Sequence, residues 1–320
     1  MIEVVRAPAY ATVQDAGRDG FRSSGVPSGG AMDLLSLFAG NVLVGNDPGA
    51  AAIEWALTGG SLRFRHDTTF ALTGATTDTR LNDYVVPHGR TLRARSGDVL
   101  TIDAITAGRF LYLCFHGGVD VPVVLGGRGS YLPGAFGGLD GRRLAAGDVI
   151  SLGRKSGAAP RDRELPRELN VLGMRGSIGL MRGPQADGLS PGQWRALTEH
   201  ELVVSPHSDR TGYRLSGLES VRTGTSSAKS EPSCAGAVQL TPAGELIVLM
   251  ADGPTVGGYP KIGVVAAGHL PRLAQTAVGA RVQLRVIETR EAVAVLATHR
   301  SELRKLAGHE FPAQALDSRT

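Results

Sequence analysis

Lysine is scarce in this chain: of 34 basic residues only four are lysines, Lys155, Lys229, Lys261 and Lys305. Cysteine is scarcer still, with Cys114 and Cys234 alone in apolar surroundings (LYLCFHG and PSCAGAV). Two isolated cysteines exclude a disulfide framework and read as buried free thiols. No run approaches the roughly 18 apolar residues that span a bilayer, and MIEVVRAPAY lacks the apolar core of a signal peptide. The expectation is a cytoplasmic protein with no membrane partner. Catalytic signatures are missing too. The eight histidines form no HxxxH or HxH pattern and no CxxC occurs, so no metal site is expected. Neither a GxSxG elbow nor a GxGxxG turn is present, which removes the anchors for a serine hydrolase and for a Rossmann site.

What is there is ordinary for a globular protein: 42% hydrophobic and 20% charged residues over 320 positions, enough for two domains. The net charge is +4, but the cations are scattered among acids, as in Pro160 to Leu169, and no basic stripe with interleaved aromatics appears. Nucleic acid is therefore not an expected partner.

Short runs rich in Val, Ile, Leu and Thr, broken by Gly and Asp-Gly turns, dominate the chain. Strands are predicted over Ser61 to Phe64, Thr69 to Leu72, Thr91 to Ala94, Val99 to Ile102, Phe110 to Phe115, Leu202 to Val204, Leu246 to Met250 and Arg281 to Val286. A turn-plus-strand cassette recurs in RSGDVLTI, AAGDVISL and AVGARVQL. Internal repetition and ordinary hairpin chemistry both account for it. Helices are few: one near residues 31–44, a second over Leu270 to Ala277 and a third from Thr289 to about Leu306. The composition shift over residues 154–169 marks a linker. The fold class is therefore mainly β with a few helices, in an N-terminal domain over 1–155, a C-terminal domain over 156–290 and a helix with a tail over 291–320.

The stretch GPTVGGYPKIG, Gly253 to Gly263, has P-loop-like glycine spacing but lacks the Lys-Ser/Thr pair that must follow it. It reads either as a turn or as an anion-binding rim in which backbone N–H groups are joined by Lys261. Three further stretches combine glycines with polar residues. Gln14, Asp15 and Arg18 precede the first helix; Asp209, Arg210, Tyr213 and Arg214 lie in SDRTGYRLSG; Glu231 and Gln239 lie in SEPSCAGAVQLTPAG. Each alone is an ordinary capped turn or ion pair.

Together these stretches carry a resemblance. TVQDAGRDGFRSSGVPSGGAMD, NVLVGNDPGAAAIEWALTGGSLRF, GGVDVPVVLGGRGSY, GGLDGRRLAAGD, RGPQ, SDRTGYRLSG, GAVQLTPAGELIVLMADGPTVGGYPKIG and HLPRLAQTAVG follow one another in order to about residue 287. The chain resembles the allophanate hydrolase subunit 2 family, also called the biotin-dependent carboxyltransferase or KipA family. The resemblance implies two cyclophilin-like β-barrel domains. It implies one part of a hetero-oligomeric, ATP-dependent 5-oxoprolinase that opens 5-oxoproline to glutamate with ATP and Mg²⁺, beside a KipI-like B subunit and an A subunit. Two other activities occur in the family: the carboxyltransferase component of a urea carboxylase, with biotin carried by another chain, and a non-enzymatic antagonist that binds a kinase inhibitor.

The resemblance supplies the positions and the chemistry of phosphoryl transfer suggests their roles: Lys261, Asp252 and Glu231 as catalytic residues and Gln14, Asp15, Arg18, Arg210, Tyr213, Arg214, Gln239, Gly257, Gly258 and Tyr259 as substrate-binding residues. Lys261 with the glycine-turn amides is expected to face an anion, Arg210 and Arg214 a carboxylate or phosphate, and Asp252 or Glu231 to hold Mg²⁺ or orient the lactam N–H. The sequence departs from the family at His116, where a small residue is usual, and at Ser233 and Cys234, near positions usually given to valine and proline.

Overall fold

The computed structural model describes residues 1–154, 157–160, 162–218, 221 and 229–308. Lys155, His309 and the tail expected over 309–320 lie outside the described residues. The chain divides into two compact units, one of residues 1–18, 29–173 and 299–320, the other of residues 19–28 and 174–298.

The first unit holds β1 (Ile2–Arg6), β2 (Tyr10–Gln14), α1 (Leu34–Leu43), β3 (Ala52–Ala56), β4 (Gly60–Phe64), β5 (Thr68–Leu81), β6 (Tyr84–Val85), β7 (Leu92–Ala94), β8 (Val99–Phe115) and β9 (Val149–Ile150). They form one nine-stranded sheet around β8. On one edge β8 pairs with β5 along nearly its full length; on the other it pairs first with β4 and then with β3. The pairing curls the sheet over a core that includes Trp55, Phe64, Phe70, Leu113 and Phe115. The apolar pattern of the sequence divides β8 into two strands and ends β5 at Leu72, whereas both run on. The intervening residues Asp103–Arg109 are mostly part-exposed polar or small side chains, so pairing with β5 through several register shifts, rather than an apolar pattern, holds them in strand.

Helix α1 starts at Asp33, whose carboxylate accepts from the Ser36 amide at 2.9 Å, the arrangement expected of an acidic N-cap. Every residue from Leu35 to Leu43 is buried. Gly40 lets the helix lie close on the sheet, because a Cβ there would stand 2.7 Å from both Cys114 Sγ and Thr73 Oγ1. Asn41, buried in the same helix, donates to the carbonyls of Pro48 and Ala50 at 2.9 and 2.8 Å, so its amide is satisfied internally. The segment before α1 is tied down by the fully buried Glu54 on β3. Its Oε2 accepts from the Met32 amide and the Tyr112 hydroxyl, both at 2.8 Å, and the Tyr112 oxygen accepts from the Asp33 amide. Burial, then the charges of Glu54 and Asp33, hold the Tyr112 hydroxyl well above its ordinary pKa, so it stays a donor. His116 is 2% exposed with Nδ1 2.7 Å from the Val44 carbonyl, a structural lock between the end of β8 and the turn after α1.

The second unit is a closed seven-stranded barrel. Its strands are β10 (Ile178–Arg182), β11 (Glu201–Val204), β12 (Gly212–Ser216), β14 (Ala237–Leu240), β15 (Leu246–Leu249), β17 (Lys261–Val265) and β18 (Arg281–Val286), in spatial order β10-β17-β14-β15-β12-β11-β18. The parallel pair β10–β18 closes it, which leaves no free edge. A two-stranded ribbon, β13 (Glu231–Pro232) with β16 (Val256–Gly257), belongs to the same unit, with helices α2 (Pro191–Glu199) and α3 (Leu270–Ala274). Helix α4 (Thr289–Ala307) runs from the second unit into the first. The mainly β fold with few helices is the one expected. Helix α2 is an addition to that expectation, although Ser190, Pro191 and Gln193 form a complete capping box at its start. Its nine residues bury only Trp194 and Leu197, too few to show a helical period.

The recurring cassette is a real structural unit. In all three copies the glycine has φ between +79° and +95° and donates its N–H to a carbonyl of a neighbouring strand: Gly97 to Phe64, Gly147 to Val4 and Gly279 to Val204. The same three strand residues donate back to the residue after the glycine, Asp98, Asp148 and Ala280. One turn, used three times, fastens an incoming strand to its neighbour, and glycine supplies the positive φ it requires.

Candidate functional site

Cys234 corrects one expectation at once. It is exposed, because SCAG forms the turn between β13 and β14, closed by the Ala237 amide on the Cys234 carbonyl at 3.1 Å; only Cys114 is buried. Burial pushes the Cys114 thiol far up, so it is inert at neutral pH.

The Gly253–Gly263 stretch does not form a phosphate-wrapping loop before a helix. Gly253 donates to Met250 in a turn, Val256 and Gly257 form β16, and Lys261 opens β17. Lys261 lies opposite Gln239 of β14 at a β-bulge: Val238 pairs with Gly263 and Gln239 with Lys261, leaving Ile262 as the extra residue. A bulge re-aims the side chains beside it. Lys261 is thereby brought to the β13–β16 ribbon, where Nζ lies 2.9 Å from Glu231 Oε2 and donates to the Pro232 carbonyl at 2.8 Å. Gln185, between β10 and α2, joins both: Nε2 donates to Glu231 at 3.2 Å and Oε1 accepts from the Lys261 amide at 3.0 Å.

Among the described residues two buried polar atoms of this cluster have no partner, Gln239 Nε2 and Ser233 Oγ; their residues are 4% and 7% exposed. Both stand over Gly257, where a Cβ would lie 2.3 Å from Gln239 Nε2 and 3.2 Å from Ser233 Oγ. Arg22, in the same unit, donates to the Ser233 carbonyl and to Ser28 Oγ. Of the candidate residues named from the sequence, Lys261, Glu231, Gln239 and Gly257 are therefore brought together. Gln185, Ser233 and Arg22 join them without being candidate site residues in the sequence, although RGPQ and the Ser233 departure are both visible there.

The other named positions go elsewhere. Asp252 accepts Arg210 Nε at 2.7 Å and Arg210 Nη2 at 2.9 Å, a bidentate pair with side chains 6% and 9% exposed. Both carboxylate oxygens of Asp252 are thus held by one guanidinium, which places Asp252 in the framework rather than on a metal. Tyr213 is fully buried, its hydroxyl donating to the Ala274 carbonyl at 2.6 Å. Arg214 pairs with Glu245 at 2.5 Å beside a cavity that is lined also by His207, Ser208 and Asp209 and shares no residue with the Lys261 cluster. Gly258 and Tyr259 follow β16, Tyr259 being 41% exposed.

Gln14, Asp15 and Arg18 belong to the first unit. Gln14 donates to the Ser130 carbonyl at 3.1 Å, Asp15 accepts from the Gly17 and Arg128 amides at 2.8 and 2.6 Å, and Arg18 lies over the Phe136 ring and donates to the Gly129 carbonyl. Their contacts fasten the glycine-rich stretch 126–138 to β2. Asp15 also lines a cavity of this unit with Asp47, Asp120, Arg128 and Arg154. Among the described residues no group of three His, Cys, Asp or Glu side chains could hold a metal, and no helix is long and apolar enough to cross a membrane.

The hydrogen bond from Lys261, then the one from Gln185, lowers the Glu231 pKa below its ordinary 4.5. A lowered folded-state value means that the group stabilises the fold above its unfolded pKa and ceases to do so as pH falls through the folded one. An NMR titration of the Glu231 side-chain carboxyl should therefore give a midpoint below 4.5, returning to the ordinary range in Lys261→Met.

Residues 24–286 match the family model for the carboxyltransferase domain, subdomain A and B. The C subunit of 5-oxoprolinase from Escherichia coli strain K12 is 37% identical over 279 residues, 87% of this chain and 89% of that protein. Its namesake in Haemophilus influenzae is 33% identical over 294 residues, 91% and 93% of the two chains. The crystal structure of Kluyveromyces lactis urea carboxylase superposes with a TM-score of 0.87 at 27% identity, over 98% of this chain and 30% of that longer one. On the matched residues and the shared two-unit β fold, the chain belongs to the carboxyltransferase domain A and B family.

Proposed function

We infer that this chain is the C subunit of an ATP-dependent 5-oxoprolinase, working with a KipI-like B subunit to activate 5-oxoproline and with an A subunit that completes hydrolysis. The near full-length match to two 5-oxoprolinase C subunits carries this reading. Chemistry agrees with it. A lactam carbonyl resists water because amide resonance stabilises it, and transfer of the ATP γ-phosphoryl group to the lactam oxygen, with ADP leaving, removes that protection. The transferring group needs cations and N–H donors held in place, since positioning and charge stabilisation supply most of the rate.

In this chain Lys261 meets that need. Glu231 and the Pro232 carbonyl hold its ammonium at the β13–β16 ribbon while Gln185 holds its backbone amide and Glu231, so the charge is oriented before any ligand arrives. The carboxylate of Glu231 pairs with the ammonium and accepts from Gln185, which fits an orienting role. Asp252, occupied by Arg210, leaves Mg²⁺ to the nucleotide phosphates. The use of ATP accords with a cytoplasmic location.

Mixing the purified chain with the A and B subunits and following ADP and glutamate tests this reading. Equal formation of ADP and glutamate on adding 5-oxoproline is expected. Consumption of urea in place of 5-oxoproline would favour the carboxyltransferase activity, which the urea carboxylase likeness supports. Consumption of neither would favour a binding role of the KipA type.

A further inference from the structure

We propose that Ser233 and Gln239, which meet over Gly257, form a carboxylate-binding subsite with Arg22, which donates to the Ser233 carbonyl, so that the substrate of this chain is a small amido acid and not urea. The proposal rests on the oxoprolinase reading for the identity of that acid.

A buried hydrogen-bonding group left unsatisfied is costly, so two of them side by side call for an explanation. Gln239 Nε2 offers two N–H donors and Ser233 Oγ a third, and each is buried without a partner. They converge on a residue with no side chain: at Gly257 a Cβ would stand 2.3 Å from Gln239 Nε2 and 3.2 Å from Ser233 Oγ, so only glycine admits both donors against this backbone. The charge beside them is positive. Lys261 is matched by Glu231, whereas among the described residues Arg22 hydrogen-bonds to the Ser233 carbonyl and Ser28, neither of which carries charge. Three neutral donors next to an arginine without a carboxylate suit an anion with two oxygens.

The ring of 5-oxoproline carries its carboxylate one atom from the lactam nitrogen, so an acid held by Arg22 and Ser233 leaves the lactam end towards Lys261. Urea, with no carboxylate, would leave both orphan donors unfilled. The Ser233 position, where the sequence departs from its family, thus supplies a hydroxyl that an apolar residue could not.

Ligand-observed NMR titrations on the full chain test the subsite, using L-5-oxoproline, 2-pyrrolidinone (the same lactam without the acid), N-acetylglycine (an acid with an open amide) and inorganic phosphate. Arg22→Gln and Ser233→Ala should each weaken 5-oxoproline and N-acetylglycine about tenfold or more, as loss of a charge-assisted hydrogen bond does, and change 2-pyrrolidinone less than about twofold. Ser233→Ala removes an unpaired hydroxyl and should leave the melting temperature unchanged or raised, whereas a structural role for Ser233 would lower it. Equal weakening of both lactams, undiminished 5-oxoproline binding, an effect confined to phosphate, or a wild-type chain that binds no carboxylate would each overturn the proposal. Arg22-dependent binding of N-acetylglycine with no 5-oxoproline turnover by the assembled complex would uphold the subsite and sink the oxoprolinase reading instead.

Discussion

Replacing Lys261 with methionine is expected to lower ATP-dependent 5-oxoproline turnover by the assembled complex on the order of 10²-fold, the usual effect of removing one preorganised charge-stabilising donor. Methionine keeps an unbranched stem and removes the ammonium. The stability cost should be modest, because the Glu231 side chain is 41% exposed and can turn to water when the ammonium is gone. A melting temperature within about 3 °C of wild type is expected. Glu231→Gln is the control: it keeps a hydrogen-bonding group beside Lys261 and should reduce turnover far less. Coupled assays of ADP and glutamate, run with a thermal melt on each variant, separate the two effects. Turnover unchanged in Lys261→Met would make Lys261 a structural strut for the β13–β16 ribbon.

The second large effect is on folding. Asp252→Ala is expected to destabilise the chain by about 3–5 kcal/mol, because it leaves the Arg210 guanidinium buried without the carboxylate that holds it at two points. Arg210→Met with Asp252→Leu should recover most of that loss, since an apolar pair of similar volume carries no desolvation penalty. Urea unfolding of the single and double variants measures both. If Asp252→Ala unfolds at the wild-type midpoint yet loses turnover, Asp252 acts in the reaction and its pairing with Arg210 is incidental.

These lysine and aspartate positions show what is legible without the fold. Lys261 stands out by scarcity and by its glycine-rich setting, whereas its ion pair with Glu231 and its pairing opposite Gln239 emerge only in the fold. Asp252 lies in the same stretch, yet nothing in spacing reveals that Arg210, distant in sequence, claims both its oxygens. Strands with apolar alternation, such as Arg281–Val286, are legible to the residue, as is the acidic start of α1. The middle of β8 is not, because pairing with β5 fixes a segment whose own side chains are largely polar or small. Gln14, Asp15 and Arg18 look like ligand-facing groups because they are polar and lie among glycines. Each of them bonds to backbone of the 126–138 stretch, and a sequence alone does not show where a buried amide finds its partner. Ser233 is visible only as a departure from its family, and the orphan state of its hydroxyl emerges only in three dimensions.

The most direct measurement is side-by-side turnover of L-5-oxoproline and urea by the chain assembled with its partner subunits, with ADP and glutamate counted together. The predicted result is one glutamate per ADP from 5-oxoproline, loss of that turnover in Lys261→Met, and no ATP use on adding urea with bicarbonate. Urea-dependent ATP consumption with 5-oxoproline left intact would contradict the assignment of this chain to a 5-oxoprolinase.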